Sequence, residues 1–160
     1  MRRKNLKKKN SKVISEGYVV DTSVLVEYIL RGAPQRIKVE ELFNSALKKQ
    51  IELYITPTTI SELLYVVSKI YEMANVAKAN EEALNYVRWL MKRAKITEIT
   101  ADIAIKAGEL KKKLKVALSD CYVIATAIDL QTKALFLRQE KEMSGKNLEN
   151  LPMIFLNQIK

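Results

Sequence analysis

This sequence predicts an α/β fold: a three-layer sandwich with a mostly parallel, short central sheet flanked by helices. Three observations predict it. Short runs of apolar and β-branched residues recur along the chain, pairs of amphipathic helical segments separate them, and no Pro/Gly/Ser-rich linker or internal repeat interrupts the alternation. The 160 residues, 48% of them hydrophobic, suffice for one domain able to bury most of its unfolded surface.

The elements follow in order. Gly17-Tyr18-Val19-Val20 is the first strand. Asp21-Thr22-Ser23 supplies N-cap chemistry for a helix over Val24 to Leu30, which Arg31-Gly32-Ala33-Pro34 ends. A second helix runs from Ile37 to Gln50, with Leu42, Phe43, Ala46 and Leu47 as its inner stripe. Leu53 to Thr56 is a strand, and Pro57 suits the first position of the helix behind it, where Ile60, Leu63, Leu64, Val67, Ile70 and Tyr71 keep helical spacing. Asn80 to Ala94 is helical, with Leu84, Val87, Leu90 and Met91 inward. Ile96 to Ile99 is a strand, Ala101 to Leu114 and Ser119 to Leu130 are helices, and Lys133 to Leu137 and Met153 to Leu156 are strands. The order is βααβααβααβ, with a short helix near Glu140–Ser144 before the last strand.

Charge divides the chain. Residues 1–12, MRRKNLKKKNSK, hold seven cations and no acid, so most of the net charge of +10 sits there. This composition predicts a flexible basic tail outside a single domain over 17–160. The tail reads either as a phosphate-attracting arm or as a solubilising or vector-derived end. No apolar stretch follows its charges as in a signal peptide, and none approaches membrane-spanning length, so a soluble, cytoplasmic protein without a membrane partner is expected.

Composition also excludes chemistry. The sequence has no histidine, which rules out Ser-His-Asp and Cys-His triads and HExxH zinc sites. One cysteine, Cys121, gives neither a disulfide nor a thiolate zinc cluster, and four glycines make no P-loop or GxGxxG. Carboxylates, lysines, hydroxyls or an oxygen-bound metal remain.

Three carboxylates stand out by isolation in a chain that is 29% charged. Residues 17–26 contain only Asp21 as a charged group, residues 53–68 only Glu62, and residues 116–128 only Asp120. Each lies among apolar residues with no neighbouring Lys or Arg. Burying a lone carboxylate costs several kcal/mol unless it is paired or binds metal. A shared divalent cation resolves that cost, since Mg²⁺ takes carboxylate oxygens, waters and substrate phosphates. Asp21 and Asp120 also suit N-cap positions; Glu62, within its segment, caps nothing. An acid that follows a strand of a parallel sheet lies where ligands bind in such folds.

Val19-Val20-Asp21-Thr22-Ser23-Val24-Leu25, Thr59-Ile60-Ser61-Glu62-Leu63 and Leu118-Ser119-Asp120-Cys121-Tyr122-Val123-Ile124-Ala125-Thr126-Ala127 together resemble the PIN domain nucleases. The likeness runs from about Tyr18 to Leu156, and the small single-domain form is similar to the VapC toxins of toxin–antitoxin pairs. The resemblance implies a metal-dependent endoribonuclease that hydrolyses RNA phosphodiesters, using Mg²⁺ or Mn²⁺ and direct attack by water to leave a 5′-phosphate and a 3′-OH. Asp21, Glu62 and Asp120 match the family's first three acids, with Asp21 and Asp120 as metal ligands and Glu62 as a ligand through water or an orienter of the nucleophile. Glu140 falls at the fourth catalytic position, Glu142 is a possible support two residues on, and Arg138 replaces the hydroxyl residue usual before the fourth acid. Ser23 is a further support, able to donate to a phosphate or to Asp21, or to act as an ordinary cap. The implied partners are RNA, an antitoxin protein and a second copy of the chain, for which Leu42, Phe43, Leu64, Tyr65 and Trp89 are apolar candidates, each equally readable as a core residue. Lys111, Lys112, Lys113 and Lys115 suit either a helix C-terminus or an RNA groove, and Tyr122 either the core or base stacking. Two rival readings stay open: an RNA-processing PIN nuclease of ribosome maturation, and a catalytically weak RNA-binding scaffold. A two-component receiver domain is disfavoured, because no Asp-Asp pair flanks the first strand.

Overall fold

The computed structural model describes residues 16–159, and the basic tail expected over 1–12 lies outside them. The elements are β1 (Glu16–Val20), α1 (Thr22–Ile29), α2 (Arg36–Leu47), β2 (Ile51–Ile55), α3 (Pro57–Met73), α4 (Ala79–Met91), β3 (Lys95–Ile96), α5 (Ala101–Leu114), α6 (Leu118–Asp129), β4 (Lys133–Phe136) and β5 (Met153–Phe155), with single 3-10 turns at Lys141–Met143 and Leu156–Gln158. The five strands form one sheet in the order β3-β2-β1-β4-β5, and every pairing is parallel.

Strand periodicity divides the core in two. In β1 the Tyr18 and Val20 side chains enter one cluster, built with Leu25 of α1, Phe43 of α2, Leu63 of α3 and Leu90 of α4. Val19 points the other way, into a cluster with Ile103 and Ala107 of α5 and Val123 and Ile124 of α6. The sheet is therefore buried on both faces, as a parallel sheet with helical crossovers must be. Helix α3 starts where the sequence predicts: the Thr56 hydroxyl accepts from the Thr59 amide at 3.1 Å, and Pro57 occupies the first turn.

The connections set the position of the site. The crossovers from β1 to β2 and from β2 to β3 lay α1 to α4 over one face. Right-handed crossovers that step one way across a sheet cover one face, and a reversal of direction moves to the other face. The chain reverses after β3, passes α5 and α6 over the second face and returns as β4 on the free side of β1. The carboxyl ends of β1 and β4 thus flank the switch point, where a doubly wound sheet opens a crevice.

The structure corrects two apolar expectations. Leu47 and Met91, read as inward, are 56% and 45% exposed, because each is the last residue of its helix and the stripe has already rotated off the core. Leu42 and Phe43 are buried in the chain's own core, as the inner stripe of α2 requires, which decides for their core reading over a contact with a second copy. Of the proposed contact residues Leu64 and Trp89 are partly buried, and Tyr65, at 66% exposure, is open. No helix of the described residues is long and apolar enough to cross a membrane.

Candidate active site

Asp21 is the residue after β1. Its backbone amide donates to the Leu135 carbonyl of β4 at 2.9 Å, which extends the β1–β4 ladder by one residue and fixes Asp21 on the crevice. The same residue is the N-cap of α1. Its Oδ2 accepts from the Ser23 amide at 2.9 Å and from the Ser23 hydroxyl at 2.5 Å. The Ser23 hydroxyl oxygen in turn accepts from the Leu137 amide at 3.3 Å, linking Asp21 to the segment behind β4 that carries Glu140. The cap reading and the site reading of Asp21 are thus compatible.

Asp120 is the third residue of α6, and Ala117 holds the N-cap. The alternative of Asp120 as a cap is therefore corrected: the helix begins earlier than Ser119, which leaves the carboxylate free of that duty. Glu62 projects from the second turn of α3. Its Oε2 accepts from the Thr22 hydroxyl at 2.7 Å, and its Oε1 accepts from the Ser119 hydroxyl at 3.5 Å. Thr22 and Ser119 are neighbours of Asp21 and Asp120 in sequence, so Glu62 is tethered to both. Glu140 and Glu142 are exposed on the segment after β4.

Electrostatics ties these groups together. Asp21 and Asp120 are 5% and 9% exposed. Burial raises the Asp120 carboxyl to about 7, and the charges of Asp21, Glu140, Glu62 and Glu142 push in the same direction. Burial also raises Asp21, aided by the Glu62 charge and opposed by the two Ser23 hydrogen bonds. Among the described residues none of the five acids makes an ion pair. The structure thus brings Asp21, Glu62 and Asp120 to one crevice, with Glu140 and Glu142 close enough for their charges to act on Asp120. Arg138 is exposed, and no hydroxyl stands at its place.

The donor set is all oxygen and anionic, with no paired cation among the described residues, which fits a hard divalent ion. Among the described residues no three carboxylates close tightly enough to enclose a metal by themselves. An ion here would complete its shell with water and substrate oxygens, as Mg²⁺ does elsewhere.

Thr22 and Ser119 were missed as site residues. Their signal was present in the sequence: each is a hydroxyl residue adjacent to an isolated acid. Glu27 is a useful contrast, because it is equally buried but accepts from the Gln35 amide at 2.8 Å and so staples the α1–α2 turn.

A family model described as the PIN domain matches residues 18–140. Among solved structures, the DNA-bound VapBC from Salmonella typhimurium superposes with a TM-score of 0.65 at 18% identity, covering 88% of this chain and 98% of that one. VapC20 from Mycobacterium tuberculosis, a sarcin–ricin loop cleaving toxin, gives 0.61 at 14% identity over 84% of this chain and 99% of that one. VapBC2 from Rickettsia felis, bound to a promoter DNA fragment, gives 0.58 at 20% identity over 76% and 87%. No curated protein is similar enough in sequence to count as a relative.

Proposed function

The chain belongs to the PIN domain family, and from that premise we propose that it is a divalent-metal-dependent endoribonuclease, the toxin of a VapBC-type pair. The carrying observation is the meeting of Asp21, Glu62 and Asp120 at the β1–β4 switch point, with Asp120 raised to about 7 and, among the described residues, no cation paired to any of them. An enzyme that only bound RNA would gain nothing from a cluster that repels phosphate.

Asp21 and Asp120 would hold the ion, Asp21 being oriented for it by the two hydrogen bonds from Ser23 to its Oδ2. The chemistry that a bound Mg²⁺ or Mn²⁺ supplies is a lowered water pKa and the offset of charge that builds on the phosphate. Glu62, held by hydroxyls on both oxygens, orients the attacking water from a fixed position. Ser23 holds Asp21 against the β4 segment, and Glu140, with Glu142 beside it, completes the acidic rim. Cations clustered at the end of α5, Lys111, Lys112 and Lys113, offer phosphate contacts along the approach to α6.

Among the matched structures, several are described as VapBC assemblies, which supports an antitoxin as the protein partner. Homodimer formation belongs to the same reading, with exposed Tyr65 on α3 as the test position.

The experiment is cleavage of an end-labelled single-stranded RNA with Mn²⁺ or Mg²⁺, with and without EDTA, by wild type and Asp120→Asn. Cleavage that needs metal and Asp120 supports the nuclease. Binding without cleavage supports the scaffold. Growth arrest relieved by the product of an adjacent small gene separates the toxin from a ribosomal RNA-processing enzyme.

A further inference from the structure

A second site lies at the opposite edge of the sheet. Where β2 and β3 begin and α2 and α4 end, a cleft of about 380 Å³ is lined by Lys49, Lys92, Arg93 and Lys95, with Glu52 as its one acid and apolar side chains such as Ile51 beneath. Glu52 is engaged: its Oε1 accepts from Lys95 Nζ at 2.6 Å, and its Oε2 accepts from the Tyr54 hydroxyl. Lys49, Lys92 and Arg93 make no ion pair among the described residues.

Arg93 is the organised member. Its guanidinium stacks on Trp89, 3.8 Å from the ring centroid, and Nη1 donates to the Trp89 carbonyl at 3.0 Å. Its Nε is buried and, among the described residues, has no hydrogen-bond partner; it lies out of a ligand's reach, so recognition in the cleft falls to the Nη groups. Lys92, just beyond α4, also complements the carbonyl end of that helix. That role does not account for four cations converging on one cavity.

We propose that this cleft binds a nucleoside phosphate. A guanidinium held over an aromatic ring presents its Nη groups as a fork for phosphate oxygens. Lys49 and Lys92 add charge on the rim, and the apolar floor suits a base or ribose face. The phosphate comes either from a free nucleotide or from the end of an RNA strand. The site does not depend on the acidic edge and needs no metal.

Trp89 is the one tryptophan of the sequence, so its fluorescence reports on the cleft. Wild type is titrated in EDTA with AMP and, separately, with a short 5′-phosphorylated single-stranded RNA. The same titrations use Lys92→Glu, Arg93→Lys and, as a control at the far end of α4, Lys78→Glu, each checked for a wild-type melting curve. The expected result is a saturable change with affinity about tenfold weaker in Lys92→Glu and Arg93→Lys and little altered in Lys78→Glu. Arg93→Lys keeps the charge and loses the fork, so it separates recognition from general attraction. This pattern with AMP identifies a free nucleotide, and with RNA alone a strand end. No saturable change with either ligand, or equal weakening in Lys78→Glu, overturns the proposal. The titrations need neither metal nor cleavage, so failure here and failure of the nuclease reading are told apart.

Discussion

The Thr22 hydroxyl donates to Glu62 Oε2 at 2.7 Å, across forty positions of chain and from the first residue of one helix to the second turn of another. Thr22 follows Asp21 directly, so one dipeptide supplies both a carboxylate to the crevice and a clamp on the next carboxylate. Thr22→Val keeps the shape of this buried side chain and removes the donor. Glu62 then retains only the long bond from Ser119. We expect RNA cleavage to fall about tenfold to a hundredfold, as loss of an orienting partner around a metal site typically costs. Single-turnover rates with melting curves check it; an unchanged rate in a folded variant means that Glu62 needs no clamp.

Much of this was legible in the sequence, for identifiable reasons. The isolation of Asp21, Glu62 and Asp120 in uncharged windows is a one-dimensional trace of burial, and the structure brings all three to one edge. Strand and helix order followed from periodicity. The strand order, which puts β4 beside β1, did not follow from it, because that depends on which face each crossover takes. The Thr22–Glu62 bond was illegible for the same reason: nothing local marks the partner of a hydroxyl forty residues away. Helix ends misled as well. At Leu47 and Met91 an apolar residue at helical spacing lies beyond the last supported turn and faces solvent.

Stability should depend on pH in the direction set by Asp120. The unfolded chain ionises this group near its ordinary 3.8, and the folded one near 7. Between those values the native state holds more protons than the unfolded state, so stability falls as pH rises from 3.8 towards 7. Asp21, also raised, adds to the same slope. Asp120→Asn removes its share. In EDTA at about pH 8 the variant should melt at least about 3 °C above wild type, with the gap closing towards pH 4. Thermal unfolding across that range decides, and a gap that widens in acid would reverse the sign of the argument.

Divalent cations should relieve the same strain. Binding to the folded state alone raises the melting temperature by mass action, steadily with concentration. Mn²⁺ or Mg²⁺ added to wild type at neutral pH should give that rise, and Asp120→Asn should lose most of it. Ca²⁺ and a monovalent salt at matched ionic strength serve as controls for screening. An equal rise in wild type and variant would place the ion elsewhere.

Asp21 is the N-cap of α1 and, in the function proposed above, a ligand of the ion, and two substitutions separate these roles. As N-cap of α1 its carboxylate accepts from the Ser23 amide, a bond whose loss costs about 1 kcal/mol. Asp21→Asn retains a cap oxygen and loses the charge; Asp21→Ala loses both. If Asp21 holds the ion, both variants should cut RNA slower by several orders of magnitude, because each removes a ligand from the centre that activates water. If it were only a cap, Asn would be nearly active, and Ala would lose stability more than rate. Binding should survive in both, since affinity rests on Lys and Arg contacts to phosphate, and it should tighten slightly in EDTA as a negative charge leaves the crevice. Single-turnover cleavage and equilibrium binding on one RNA, with Mn²⁺ and with EDTA, distinguish these outcomes. Cleavage by wild type that persists in EDTA would remove the metal from the mechanism. An active Asp21→Asn would leave Asp120, Glu62 and Glu140 to account for the chemistry without it.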